Sequence, residues 1–525
     1  MHAGLILSGF LVFLHAVFLF HAGALWRDEV NCVEMALLPN IEDIWANLEY
    51  DSFPILWHLA MRLWLFVGMS IGGGDLFIRI LGFVVGTSVI GALWWNAKQF
   101  GHRVPLIALA LVGFNVTIIS VGDSIRAYGL GTAIGLMTMG AVWRLSVMGR
   151  YRDWLVFLTA SLLAVHILYY NAVVVFAVCI AGAFLCLWDR RWKQMAAVMG
   201  VGLLTACSLI PYLGVIAKAK SWTVIVRYPI DIFWIWHKFQ EAMTSTALWL
   251  PFFWTGLILA SVAVTGLAMR KSTETDQSGN RLVIFAGVLL LVCTISYILF
   301  LKILSYYMQP WYFIVFIAIS GACIDAIFAR SGSKGREQLL RVVLSLVIVL
   351  SVAGNVLLHT VERKTNMDTL AAILEKEAVP GDLIVLSRWY YGLPFKRYYQ
   401  GHVPWTTVPP ISSYHLMRID LLKQQMESRG VMTPVLASAD RSLKDGRRVW
   451  IVGDLVLPLR GERVPVNAPM PNEGGGWSDG PYYYLWNKQM AAFLAAHGGH
   501  WREAKTESPY PVSMYENLKL FVVDR

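Results

Sequence analysis

Apolar residues run along this chain in long blocks, and polar positions fall mainly between the blocks. The blocks lie near 4–25, 78–97, 104–121, 128–147, 154–170, 172–188, 195–217, 247–269, 282–301, 310–328 and 339–358. Each approaches the ~20 residues a helix needs to cross a bilayer, so the pattern predicts about eleven membrane helices. His166, Tyr169, Tyr170 and Asn171 interrupt the run from Trp154 to Trp188 and read either as an interfacial turn or as a cavity lining. The stretch Asp51–Gly68 is apolar but broken by Pro54, His58 and Arg62. It reads as a helix lying along the interface, where Trp57 and Trp64 are well placed. From about residue 359 the pattern changes to short strands and turns. Asp382–Ser387, Arg448–Val452 and Leu518–Val523 read as strands, Asn366–Glu377 and Tyr484–His497 as helices, and Asn472–Gly480 as a flexible loop. The expected organisation is a transmembrane domain over 1–358, with a long first outer loop over 26–77, and a small α/β domain over 359–525.

Composition supports this reading. Apolar residues make up 57% of the chain and charged residues 15%, against about 25% charged in soluble domains. The net charge of +10 does not point to nucleic acid, because many of the basic residues sit in short loops. Lys98 and Arg103, then Arg144, Arg150 and Arg152, then Arg190, Arg191 and Lys193, then Arg270, Lys271 and Arg281, then Arg330, Lys334, Arg336 and Arg341 fall on one side of the predicted spans. That side is cytoplasmic by the positive-inside rule. Loops 26–77, 122–127, 218–246 and 302–309 and the tail are then extracytoplasmic. Of the six cysteines, Cys32 alone lies outside a predicted span, so neither a disulfide framework nor a CxxC metal site is expected. The first residues lack a basic n-region and read as a membrane helix. A P-loop is absent, which argues against a transporter carrying its own ATPase.

The outer loops hold the candidate chemistry. Arg27, Asp28 and Glu29 follow the first span directly. Such charges often do no more than mark a span end. They also suit transfer from a lipid-phosphate donor, which needs a carboxylate to take an acceptor proton and cations to meet a departing phosphate. Asp28 is the candidate base and Glu29 its helper. Arg27, Arg126, Lys218, Lys220, Arg227 and Lys302 are candidate phosphate contacts; each alone reads more readily as a solvated loop charge, and two or three of them are expected to be real contacts. His237 and Glu241 stand four residues apart and would share a helix face. They are half of a site for a divalent metal, which needs further ligands. Trp389, Tyr390 and Tyr391 are candidate sugar-stacking rings in the tail.

Four segments, in order, resemble the GT-C glycosyltransferases, specifically the glycosyltransferase family 39-like group that includes protein O-mannosyltransferases and the lipid A aminoarabinose transferase. They are the pair Asp28–Glu29, the stretch from Asp51 to Trp64, the stretch Val121–Leu130 with Asp123, Arg126 and Tyr128, and Ser305–Phe313. The tail run Gly381–Tyr399 is also similar to that of bacterial relatives. Ser52 and Phe53 stand where the family more usually has His and Pro. The family's arginine is missing from the late segment, where Tyr307 and Gln309 stand nearby. The resemblance implies a multi-pass α-helical membrane protein of GT-C type with a small C-terminal extracytoplasmic α/β domain, in a bacterial inner membrane. It implies inverting transfer from a polyprenyl-phosphate sugar, usually on undecaprenyl phosphate, to a glycan, lipid or protein acceptor. Asp28 would be the catalytic carboxylate, with Asp123, Tyr128 and His58 in support. Rival readings are a lipid-linked sugar flippase, which should show ionisable residues within spans and an internal repeat; an O-antigen ligase or polymerase, which should carry its large loop between late spans; and a non-catalytic scaffold.

Overall fold

The structure is a computed structural model that describes the chain apart from Arg103, 224–229, 271–276, 330–334, Asn472, 474–477, Lys505, Glu507 and Pro509, and apart from the side chains of 220–223, 277–279, 335–337 and 340. Arg227, several of the loop cations (Arg103, Lys271, Arg330 and Lys334) and most of the Asn472–Gly480 loop therefore lie outside the described residues. The chain divides into two compact units. The first joins Met1–Phe20, Ser52–Gly214 and Pro229–Val361; the second joins His21–Asp51, Val215–Tyr228 and Glu362–Arg525.

The first unit is a bundle of apolar helices. Across the described residues, nine helical stretches are long and apolar enough to cross a membrane: His2–His21 (α1), Asp75–Phe100, Tyr128–Met148, Asn171–Trp188, Trp192–Ala219, Leu250–Arg270, Asn280–Leu304, Pro310–Ala329 and Arg341–Thr360. Pro310–Ala329 is the central one, with 94% of its most apolar window buried by protein. Two expected spans take other forms. The 104–121 block is a short helix Leu106–Ala108, a π-helical turn Leu109–Gly113 and a helix Val116–Gly122. Asn115 makes the break: its side chain accepts from the Thr117 and Ile118 amides and so starts a new helix. The 154–170 block is a 17-residue helix, Tyr151–Ile167, whose first turn carries Asp153. The apolar stretch expected at the interface forms a helix, Ile55–Ser70, entered through Pro54.

Gly82 and Gly86 lie one turn apart on the helix Asp75–Phe100. A Cβ on Gly82 would meet the Asp123 carbonyl oxygen at 2.1 Å, and one on Gly86 would meet Asp123 Oδ1 at 1.7 Å. The bare stripe lets the 122–128 turn pack directly on this helix, as small residues commonly allow in membrane bundles.

The second unit is built on a five-stranded sheet of order β2-β1-β3-β5-β4. Its strands are Leu383–Leu386 (β1), Trp405–Thr407 (β2), Val449–Val452 (β3), His500–Glu503 (β4) and Leu520–Asp524 (β5). β1, β2 and β3 are parallel, while β5 runs antiparallel to both β3 and β4. The runs LIVL and VWIV are buried on both faces, as expected for strands covered by helices on each side. One face packs against Ile419–Glu427, Thr433–Lys444 and Gly480–His497. The other packs against Met367–Glu377 and Gly392–Tyr398. The segment His21–Asp51 belongs to this unit through backbone ties. Lys364 N donates to Ala22 O, Leu25 N to the Tyr398 hydroxyl, and Met417 N to Asn31 Oδ1.

Candidate active site

In the second unit, helix α2 (Arg27–Ala36) begins at Trp26, whose amide donates to Glu29 Oε2 at 3.2 Å. Glu29 is buried and closes the first turn, and the acidic pair Asp28–Glu29 suits the positive end of the helix. Asp28 is the more accessible of the two, with a side chain 19% exposed. Arg27 Nε lies 3.6 Å from Asp28 Oδ1, and its Nη1 donates to Glu516 Oε2 at 3.4 Å. The Arg27 amide also reaches Glu516 Oε2 at 3.4 Å. The guanidinium stacks over Tyr390, 4.5 Å from the ring centre, and lies 5.1 Å from that of Trp26. Burial opposes its charge, yet Asp28, Tyr390 and Glu516 together hold the Arg27 pKa above its ordinary value. Glu516 is buried and accepts from the Thr365 hydroxyl at 3.0 Å. Burial lifts its carboxyl to about 7, against the pull of Arg27.

The rings after β1 extend this cluster. Tyr390 packs against Trp389, Tyr391 and Tyr483 at 5.9, 4.9 and 6.4 Å between centres. Arg388 donates to the Tyr390 hydroxyl at 2.6 Å. Asp479, at the start of the helix Gly480–His497, is lifted to about 6 by burial, with Arg388 acting in the opposite sense. Lys218 lies 3.7 Å from Glu49 with its side chain 65% exposed. Lys218 and Lys220 share the helix Leu213–Thr223, the side chain of Lys220 outside the described ones.

In the first unit, Asp123 caps the helix Val116–Gly122, and its Oδ1 lies 2.6 Å from His15 Nδ1 of α1. Both side chains are 1% exposed. Arg126 is buried, with its guanidinium 4.4 Å from the Phe53 ring centre and 6.0 Å from that of Tyr128. Phe53, Tyr128, Tyr170 and Tyr312 form a continuous aromatic row. The structure thus gathers Phe53, Asp123, Arg126 and Tyr128 around one turn. His58 is buried in the helix Ile55–Ser70. Lys302 is exposed in the last turn of the helix Gln277–Leu304. His237 and Glu241 share the helix Ile232–Thr244, where Lys238 Nζ lies 2.7 Å from Glu241 Oε2. Among the described residues, no group of three His, Cys, Asp or Glu side chains is placed to hold a metal ion.

Sequence reasoning did not find Glu516, Arg388, Asp479 or His15. His15 carried one available signal, an imidazole inside an otherwise apolar span. Glu516 carried none, since its partner Arg27 lies 489 positions away.

No family model matches the chain, and no curated protein matches it in sequence. Among solved structures, ArnT from Cupriavidus metallidurans in the apo state matches with a TM-score of 0.50 at 13% identity, over 85% of this chain and 92% of that one. The same protein bound to undecaprenyl phosphate matches with a TM-score of 0.46 at 12% identity, again over 85% and 92%. The Archaeoglobus fulgidus oligosaccharyltransferase, in complex with zinc and sulfate, matches with a TM-score of 0.47 at 11% identity, over 96% of this chain and 79% of that one. The first likeness is one of fold: this chain shares the multi-helix fold of that ArnT structure, and its described residues include a small C-terminal sheet domain.

Proposed function

We propose that the chain is a membrane glycosyltransferase that moves a sugar from a polyprenyl-phosphate carrier to an extracytoplasmic acceptor, with inversion at the anomeric carbon. The observation that carries this reading is the accessible carboxylate of Asp28 beside an arginine held by a buried glutamate and a tyrosine face. The GT-C fold and the ordered sequence segments support it. Asp28 takes the proton of an acceptor hydroxyl as that oxygen bonds to the anomeric carbon. The bond from that carbon to the phosphate oxygen breaks, and its electron pair leaves with the lipid phosphate. General base catalysis of this kind contributes ~10²–10⁴-fold. Glu29 holds the helix turn that presents Asp28. Arg126 meets the phosphate charge, with Lys302 as a lesser contributor, while Asp123, Tyr128 and His58 shape the turn that carries Arg126; Arg27 lies against Asp28 and holds it in place. The reading places 1–358 in the bacterial inner membrane with loop 26–77 and the 359–525 domain outside.

The test is donor turnover. Purified protein in nanodiscs is offered radiolabelled undecaprenyl-phosphate hexoses and pentoses, with extracted envelope fractions as acceptors. Release of free undecaprenyl phosphate coupled to label in an acceptor fraction is expected for at least one donor. Protein that binds undecaprenyl phosphate yet turns over no donor would overturn the transferase reading and favour a carrier.

A further inference from the structure

β1 lies between β2 and β3, all parallel. The chain leaving β1 runs to the helix Gly392–Tyr398 on one face, and the chain leaving β3 runs on to the helix Gly480–His497 on the other. The carboxyl ends of β1 and β3 are therefore a topological switch point, the place where open parallel sheets bind ligands. The two exits are tightly apposed. Ser387 N donates to Val452 O at 2.9 Å, and Gly453, at φ +96°, leaves no room for a Cβ beside the Ser387 hydroxyl.

The side chains at this edge are Arg388, Tyr390 and Tyr391 from the β1 exit and Asp479 and Tyr483 from the start of the helix that follows β3. Arg27 joins them over the Tyr390 face. Their charge is nearly balanced. Arg27 is engaged by Asp28 and Glu516, and Arg388 is set against Asp479. A phosphate would find little free positive charge here. A neutral polyhydroxyl ligand would find the half-buried ring and hydroxyl of Tyr390, the exposed guanidinium fork of Arg388 and the half-buried carboxyl of Asp479. We infer that the carboxyl edge of β1 and β3 is a saccharide-binding subsite, formed by Arg388, Tyr390 and Asp479 over a floor of Tyr391 and Tyr483. Its place next to Arg27 and Asp28 makes it the seat of the acceptor sugar, a role that rests on the transferase reading above. Saccharide binding itself does not depend on that reading.

The experiment uses full-length protein in nanodiscs and a panel of methyl glycosides: the α- and β-anomers of glucoside, galactoside, mannoside, arabinoside and 2-acetamidoglucoside. Binding is read by saturation-transfer NMR. At least one glycoside should give a signal, and Arg388→Ala and Tyr390→Ala should each reduce it fivefold or more. Tyr390→Phe, which keeps the ring and loses the hydroxyl, should give an intermediate loss. Arg388 is exposed, so its variant retains the native melting profile and decides the matter if Tyr390→Ala fails to fold. A panel without signal, or signals unchanged in Arg388→Ala, would overturn the subsite. Undecaprenyl phosphate binding by the wild-type protein is measured in parallel. Its loss would count against the donor reading and leave the saccharide result standing.

Discussion

Replacing Glu516 by glutamine isolates the physics that sets Arg27 in place. The native carboxyl is buried, with Arg27 at 3.4 Å and the Thr365 hydroxyl at 3.0 Å. Burial lifts it from 4.5 to about 7. An acid held above its unfolded value binds its proton more tightly in the folded state. The stability this group contributes is complete below about pH 4.5, falls as pH rises toward 7, and then levels. The gap of about 7 minus 4.5 is about 2.5 units, or about 3 kcal/mol at ~1.4 kcal/mol per unit. Glutamine keeps the shape and the Thr365 contact without a titrating proton. Glu516→Gln should therefore melt with the wild-type protein near pH 4.5 and above it at pH 8. At ~2–4 °C per kcal/mol the difference should reach about 6 °C or more. Thermal unfolding followed by tryptophan fluorescence in detergent, at both pH values, reads it directly. A variant that melts below the wild-type protein at pH 8 would refute the reasoning, because the Arg27 attraction would then outweigh the desolvation of Glu516.

Three further predictions concern the membrane unit and its orientation. Arg126→Lys keeps the charge and loses the planar fork and the face of Phe53; undecaprenyl phosphate should bind about tenfold more weakly, ~1.4 kcal/mol, and unchanged affinity in a thermophoresis titration would reject the phosphate contact. Gly86→Ala places a methyl 1.7 Å from Asp123 Oδ1 and should cost ~1–3 kcal/mol by overpacking; an unaltered melting midpoint would contradict the direct packing of the 122–128 turn on its helix. A phosphatase active only outside the cytoplasm, fused after Arg525, should be active; a well-expressed inactive fusion would place the tail inside.

The sequence exposed what depends on local pattern and hid what depends on distance. Long apolar blocks identified most membrane helices, because a span must bury its own backbone polar groups along a continuous run. The division of the 104–121 block escaped notice, since it turns on one side chain, Asn115, capping a helix inside an apolar run. β1, β3 and β5 were legible as compact apolar runs. β2 has only three residues, and every residue of β4 is exposed, so neither shows a strand pattern. Asp28 stood out by its place after the first span. The residues now grouped around it come from both ends of the chain. Arg27 meets Glu516 across 489 positions; in the other unit, away from this group, His15 meets Asp123 across 108. No periodicity links such pairs; the folded chain brings them together.

The central claim is that Asp28 removes the acceptor proton, and Asp28→Asn tests it most directly. Asparagine matches the size of aspartate and can still take a hydrogen bond, but it cannot serve as the base. With a verified donor and acceptor, turnover should fall by ~10²-fold or more, while insertion, purification profile and undecaprenyl phosphate binding stay as in the wild-type protein. Glu29→Gln should cost less, because Glu29 closes the helix turn from a buried position. Near-normal turnover by Asp28→Asn would contradict the account and move the catalytic role to Glu29.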